Sequence, residues 1–313
     1  MAFTKIEHIL DPEILADHAM TYFPDKVAFI QSGAVQVGGT DIEEGGQFLT
    51  IPRWMANEDK FDEISETSDL TPKKVDEDPE YGVVVRRGIA YEILDTASLT
   101  TLGDPNKHVA NKIANLAGRT ADYSLISVAV GATPAANTHD IAVASGSQVY
   151  FSAEHCIDAM AKVGDEMDNL ALIIMHSTVY ARCVKNDLID FEKPSEGPGR
   201  IPYFQGRRVI VSDRCPVDTT TPNYYEYSTF LVANGALLLD YQRNLLVEFD
   251  RDVLAQSDII AASMHYIAHL VGMSWDTSGG GGKPAEAALR TTSNWSLAAD
   301  DEKAVGCVKL ITN

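Results

Sequence analysis

The stretch that decides the fold runs from Asn169 to Asp218 and reads NLALIIMHSTVYARCVKNDLIDFEKPSEGPGRIPYFQGRRVIVSDRCPVD. Leu170–Met175 is an apolar run of strand length, and Ser177 is a candidate N-cap for a helix that follows it. The helix is expected to place four apolar side chains on one face: Tyr180, Cys183, Val184 and Leu188. A loop rich in Pro, Ser, Glu and Gly comes next, and the β-branched residues of Arg207–Ser212 predict a returning strand.

The composition limits which partners the chain is suited to bind. Its 313 residues carry a formal net charge of −20, and 45% of them are hydrophobic. This hydrophobic content is ordinary for a globular protein with a core. The charge argues against a surface that grips nucleic acid, because phosphate binding needs clustered Lys and Arg. Solubility alone explains the acidic excess equally well.

The cysteines and the lengths of the apolar runs argue against several further classes of protein. The cysteines are scattered without a CxxC pair, which argues against a zinc ribbon or a disulfide framework and fits a reducing compartment. They are Cys156, Cys183, Cys215 and Cys307. Polar residues interrupt Met1–Leu10, so no signal peptide is expected, and no apolar run approaches the roughly 20 residues that span a membrane.

The first third of the chain has the pattern of an arm followed by a ribbon. Residues 1–45 scatter apolar side chains among acids, prolines and glycines, which predicts an extended arm. Gln47–Trp54 and Tyr81–Ile93 are predicted strands, and Asn57–Glu80 between them holds ten acids and three lysines. A two-stranded ribbon is marginal in water. Since the neighbouring sequence offers no obvious cover, we expect the ribbon to pack on another copy of the chain.

The remaining elements follow from caps and periodicity. Asp104-Pro105 is a strong helix start, and helical spacing continues to Gly131. Ser152 is predicted to cap a second helix that ends at Gly164. Asp250–Ser263 is compatible with either a helix or a hairpin turn. Further strands are predicted at Tyr227–Leu239, Asn244–Phe249, Met264–Trp275 and Gly306–Ile311.

Several of these motifs resemble the major capsid proteins of tailed double-stranded-DNA bacteriophages. They are the strand–helix turn Met175-His176-Ser177, the strand within Gly206–Val217, the GGQFLTIP run at Gly45–Pro52, and the helix start Asp104-Pro105. The resemblance extends over nearly the whole chain, with no landmark in Thr277–Thr292. It implies an α+β fold of the Hong Kong phage type, which herpesvirus shell proteins and encapsulins share. That fold has an N-terminal arm, an extended β-hairpin loop, a long spine helix, and peripheral and axial domains.

The resemblance also implies domain boundaries. These are an arm at 1–45, the extended loop at 46–96, the spine helix and first peripheral part at 97–151, the axial domain at 152–239, the second peripheral part at 240–278, and a C-terminal segment at 279–313 that returns to the axial domain.

The function that this resemblance implies is structural. Copies of the chain are expected to form hexamers and pentamers of an icosahedral shell that encloses double-stranded DNA, in a virion assembled in the host cytoplasm. The main partner is the chain itself. Portal, scaffolding or decoration proteins are possible partners, and packaged DNA lies nearby without specific binding. No membrane, cofactor or metal is expected, and since no long helical segment precedes the arm, a separate scaffolding protein or none is expected.

Candidate subunit contacts follow from the predicted ribbon and from a Thr-rich loop at Asp218–Asn223 that would face the symmetry axis. They are Phe48, Ile51, Trp54, Lys73, Lys74, Val83, Val85, Arg86, Arg87, Tyr91, Thr219, Thr220 and Thr221.

Two alternatives remain at this level. One is an encapsulin-like nanocompartment, which keeps the fold and changes the cargo. The other is a soluble α/β hydrolase or metal-dependent enzyme, supported only by the pairs His265/His269 and His176-Ser177. The first pair lacks a third ligand and the second lacks a nucleophile elbow. Thr277–Pro284 has glycines but not the spacing of a phosphate loop.

Overall fold

The computed structural model describes residues 29–30, 32–38, 46–52, 61, 79–95, 105–192 and 200–313. Most of the predicted arm and the acidic part of the predicted extended loop lie outside this set, as do Trp54, Lys73 and Lys74. No helix in the described ranges is long and apolar enough to cross a membrane.

Strands dominate the described residues, and four α-helices accompany them. The strands are β1 (Val35–Val37), β2 (Phe48–Ile51), β3 (Glu80–Leu94), β4 (Thr138–Asp140), β5 (Leu170–Met175), β6 (Asp190–Glu192), β7 (Ile201–Phe204), β8 (Arg207–Val211), β9 (Val217–Asp218), β10 (Glu226–Ala233), β11 (Leu237–Asp252), β12 (Ser257–Leu270), β13 (Met273–Trp275), β14 (Trp295–Leu297) and β15 (Cys307–Thr312). The helices are α1 (Pro105–Ala132), α2 (Ala153–Met160), α3 (Ser177–Lys185) and α4 (Glu286–Arg290).

The first sheet has five strands in the order β1-β11-β12-β3-β2. Its centre is the long antiparallel hairpin of β11 and β12, whose register runs from Leu237 opposite Leu270 to Asp252 opposite Ser257. The segment that was compatible with a helix or a turn is therefore a hairpin turn. Strand pairing decides the structure of this segment, because β11 pairs with β12 along most of its length and β12 also pairs with β3.

Strand β3 corrects the expectation that the ribbon finds no cover on its own chain. It pairs with β2 only at its start, while its remaining length pairs antiparallel with β12 from Val84 opposite Ile267 to Leu94 opposite Ser257. Val83, Val84 and Val85 are fully buried. The sequence hid this cover because β12 lies far away along the chain.

Helix α1 is the predicted long helix, and it runs unbroken across one face of the five-stranded sheet. Its Ile113, Leu125 and Val128 are fully or nearly fully buried. Ser124 Oγ lies 2.7 Å from the Tyr266 hydroxyl of β12, which satisfies two buried polar groups at the contact.

The second sheet has seven strands in the path β4-β15-β10-β5-β8-β7-β6, and β9 adds an eighth by pairing with β10. The apolar run predicted as a strand is β5, and the predicted returning strand is β8, which pairs with it in parallel. The predicted last strand is β15, which lies between β4 and β10.

The two short helices on this sheet, α2 and α3, show which of the predicted N-caps is correct. Ser152 caps α2 as expected, since its Oγ accepts from the His155 N–H. The predicted Ser177 cap is wrong: Ser177 is the first helical residue of α3, and His176 before it is the cap, with Nδ1 accepting from the Thr178 N–H at 3.1 Å. Cys183 is buried as predicted, whereas Val184 is exposed and Val179 takes its place on the buried face.

The two sheets share one hydrophobic cluster. It joins Val85 and Tyr266 of the first sheet to Ile174 and Phe230 of the second, with α1 between them. The chain crosses from the second sheet to the first between β10 and β11, so the domain boundary predicted at residue 239 falls inside β11. A second cluster lies under α2 and α3.

Candidate assembly surfaces

Within the predicted extended loop, the start of β3 is fixed to the body of the chain at Glu80. Its carboxylate is buried, accepts from the Gly272 N–H at 3.1 Å, and lies 3.3 Å from His269 Nε2. The neighbouring Tyr81 N–H donates to Ser274 Oγ at 3.1 Å. The start of β3 is therefore fixed to β12, to β13 and to the turn between them.

The predicted contact residues of β2 and β3 divide into buried and accessible groups. Val83 and Val85 belong to the core of the chain itself and have no surface left for another subunit. Phe48 packs partly buried against that core, and Ile51 is partly exposed. Phe48 and Ile51 therefore keep some surface for a neighbour.

Of the basic pair Arg86 and Arg87 on β3, Arg87 binds partners within the chain. Arg87 forms a 3.0 Å ion pair with Glu286 of α4 and donates to the Pro284 carbonyl at 3.2 Å. Arg86 lies opposite His265 on β12. Burial, reinforced by Arg86 and Arg243, lowers the pKa of His265, so that ring favours its neutral form.

Tyr91 lies farther along β3 and faces α1. Its ring is partly buried against a small apolar cluster around Ile113 and Ile260, and Lys112 Nζ stands 5.0 Å from the ring centroid. A cation over an aromatic face is attracted by the ring quadrupole. Tyr91 thus helps to hold the outer part of the sheet to the helix.

Sequence reasoning missed one exposed apolar feature of the described residues, the tip of the β11–β12 hairpin. Phe249, Val253 and Leu254 are 65%, 74% and 98% exposed. Arg251 stiffens the same tip by bridging Asp95 at 2.6 Å and Asp258 at 3.0 Å. We call Phe249, Val253 and Leu254 the hairpin tip. The sequence shows these apolar residues in or beside a segment compatible with either a helix or a hairpin turn. Only the hairpin in the structure shows that they have no cover.

The Thr-rich loop lies at one end of the second sheet, between β9 and β10. Thr219 and Thr220 are exposed, and Thr221 is partly buried. Asp218 accepts from the Thr220 side chain at 2.7 Å and from its N–H at 2.8 Å. These two bonds lower the pKa of Asp218, so the loop presents an ordered, ionised acid to its surroundings.

The groups considered for catalysis serve packing in this structure. His269 is buried between Glu80 and Trp295, and the ring of His176 caps α3. The glycine run closes a turn on Trp275, whose Nε1 donates to the Gly281 carbonyl at 3.0 Å. All four cysteines are free and buried, and burial raises the pKa of the Cys156 thiol to about 12. Such a thiol is a core residue and a poor nucleophile.

Comparison with known proteins shows which family the chain is similar to. Residues 41–308 match the family described as Major capsid protein 13-like. The chain is 28% identical to the major capsid protein of Bacillus phage SPP1 over 315 residues, covering 97% of this chain and 96% of that protein.

Solved structures agree in fold. The capsid of Ralstonia phage GP4 is similar with a TM-score of 0.58 at 7% identity, covering 89% of this chain and 87% of that one. The SrpI encapsulin of Synechococcus elongatus is similar with a TM-score of 0.55 at 11% identity, covering 87% and 83%. The α+β fold of the Hong Kong phage type is thereby confirmed. The chain belongs to the Major capsid protein 13-like family, and it is a major capsid protein of a tailed bacteriophage.

Proposed function

We propose that copies of this chain assemble as hexamers and pentamers into an icosahedral shell around double-stranded DNA, within a virion assembled in the host cytoplasm. The observation that carries the proposal is the hairpin tip, an apolar surface that a single chain leaves in water. Burying such surface against a neighbour contributes about 25 cal/mol per Å². Because each subunit in a closed lattice is held at several interfaces at once, modest contacts add up.

The proposed contacts combine the hairpin tip with the sequence-based candidates other than the buried Val83 and Val85. They are Phe48, Ile51, Trp54, Lys73, Lys74, Tyr91, Thr219, Thr220 and Thr221, with Arg86 and Arg87 at the margin. The arm at 1–45, and the part of the extended loop at 46–96 that does not belong to the first sheet, would lie across adjacent subunits. The loop at Asp218–Asn223 would face the capsomer axis in the axial domain.

Association is the proposed mechanism, without a catalytic step. The net charge of −20 suits a wall that repels packaged DNA weakly, so that the genome is enclosed without sticking. Portal, scaffolding and decoration proteins are proposed further partners. An encapsulin-like compartment has only the shared fold in its favour.

The test introduces a charge at the hairpin tip. Leu254→Asp places a carboxylate where the proposal buries a leucine, and it should reduce shell yield strongly while the folded subunit persists. Ser293→Asp, at an exposed polar position, is the matched control and should assemble normally. Light scattering and electron micrographs measure the yield of megadalton shells. Equal yields from both variants would exclude the hairpin tip as a contact, and a wild-type chain that stays monomeric would contradict the shell itself.

A further inference from the structure

Three side chains with metal-binding atoms converge at one edge of the second sheet. His139 lies on β4, and His155 and Asp158 lie on α2. One ligating atom from each residue lies within 4.8 Å of the other two. The sequence-based expectation of no metal site considered only His265 and His269, which are close in sequence.

The fold fixes the elements that carry these groups. Strand β4 pairs in parallel with β15, with His139 opposite Leu310, and α2 packs against the same strand. His155 and Asp158 are three residues apart, a spacing that places both on one helix face. The Ser152 cap holds the first turn of α2 through the His155 N–H, so the ligand-bearing face has a defined orientation.

The local chemistry points to a cation. His139 Nε2 is buried and has no hydrogen-bond partner among the described residues, which is costly unless something binds it. Asp158 is exposed and His155 partly exposed, so a solvated ion has access. The excess of acids over bases also raises the local concentration of cations.

We propose that His139, His155 and Asp158 bind a divalent transition-metal ion, with Zn²⁺ as the species that fits best. Two imidazoles and one carboxylate are ligands that Zn²⁺ takes at about 2.0–2.2 Å, whereas Mg²⁺ and Ca²⁺ prefer oxygen ligands alone. The three ligating atoms lie within 4.8 Å of one another and would reach one ion by side-chain rotation. Water would complete the tetrahedron.

The bound ion would connect β4 to α2, two elements that the chain separates by a loop. A ligand that binds only the folded state stabilises it by mass action. Zn²⁺ is therefore expected to raise the melting temperature of the chain.

The experiment titrates the dialysed full-length chain with zinc chloride by calorimetry. We expect one Zn²⁺ per chain, no displacement by excess Mg²⁺, and a higher melting temperature. His155→Ala and Asp158→Asn should each weaken binding at least about tenfold, since even outer-shell partners of metal ligands contribute that much. Glu154→Gln, an exposed neighbour on the same helix, should bind as the wild type does.

Several outcomes would overturn the proposal. They are no Zn²⁺ binding at about 1 mM, several weak sites in place of one, or equal affinity in the wild type, Asp158→Asn and Glu154→Gln. Asp158→Asn keeps the side-chain shape at an exposed position, so it decides the matter even where His155→Ala perturbs α2.

Discussion

At the scale of single residues, the buried contact between Glu80 and His269 fixes the start of β3. The two groups are almost fully buried, and Glu80 also accepts from the Gly272 N–H. They join the first residue of β3 to the end of β12. This contact therefore fixes the start of β3 to the body of the chain.

Removing Glu80 should destabilise the fold strongly. Glu80→Ala leaves the Gly272 N–H and the His269 ring without their buried partner, and a buried polar group left unsatisfied costs about 1–3 kcal/mol. Urea denaturation measures the loss. In a double-mutant cycle with His269→Ala, a coupling energy of about 0.5–3 kcal/mol is expected for residues in contact. Additive losses would show that the contact contributes nothing of its own.

At the scale of elements, the crossing of α1 and α4 depends on one glycine. A Cβ added to Gly131 would overlap the Leu289 carbonyl oxygen and lie 2.8 Å from the Arg290 carbonyl carbon, which are backbone atoms that cannot rotate away. The helices can approach this closely only because Gly131 has no side chain.

Gly131→Ala is thus expected to lower the free energy of unfolding by about 1–3 kcal/mol, the usual cost of overpacking. Chemical denaturation gives the value. Gly118→Ala on the same helix is the control, and it should be neutral or stabilising because alanine favours a helix interior over glycine by roughly 0.5–1 kcal/mol. A loss of similar size at Gly118 would point to helix bending and not to the α1–α4 contact.

At the scale of the whole molecule, Asp122 ties together distant parts of the chain. From α1 it accepts from the Phe29 N–H at 2.9 Å and forms a 2.9 Å ion pair with Arg214, which lies after β8 of the second sheet. Burial raises the pKa of Asp122 above 3.8, since desolvation outweighs the opposing effects of Phe29 and Arg214.

This raised pKa fixes the sign of a pH dependence. The folded state binds the proton more tightly than the unfolded state, so the contribution of Asp122 to stability is largest below about pH 3.8 and falls as pH rises through the raised pKa. The unfolding free energy of the wild type, minus that of Asp122→Asn, should fall as pH rises above about 3.8. Urea denaturation across this range measures it.

Asp218→Asn provides a control of opposite sign. Hydrogen bonds from Thr220 lower the pKa of Asp218. The contribution of Asp218 is therefore present above the unfolded pKa and is lost as pH falls. If both differences changed with pH in the same direction, burial of Asp122 would not be the cause.

The net charge predicts how assembly responds to salt. Subunits that each carry −20 repel one another, and the Debye length falls from about 30 Å at 0.01 M salt to about 8 Å at 0.15 M. Shell yield measured by light scattering should therefore rise over this range, because apolar contacts are not screened. A steep fall would instead indicate that ion pairs hold the subunits together.

The sequence by itself determined the elements whose signals are local. Leu170–Met175, Arg207–Val211 and Pro105–Ala132 were predicted closely because apolar runs, β-branching and an N-cap act over a few neighbouring residues. The motifs at Met175-His176-Ser177 and Gly206–Val217 were likewise enough to indicate the family.

Only the tertiary structure decided which distant segments meet. It placed β3 against β12, turned Val83 and Val85 inward, exposed Leu254, and brought His139 to His155 and Asp158. Such partners are chosen by burial and by backbone pairing over the whole chain, and no short stretch of sequence encodes that choice.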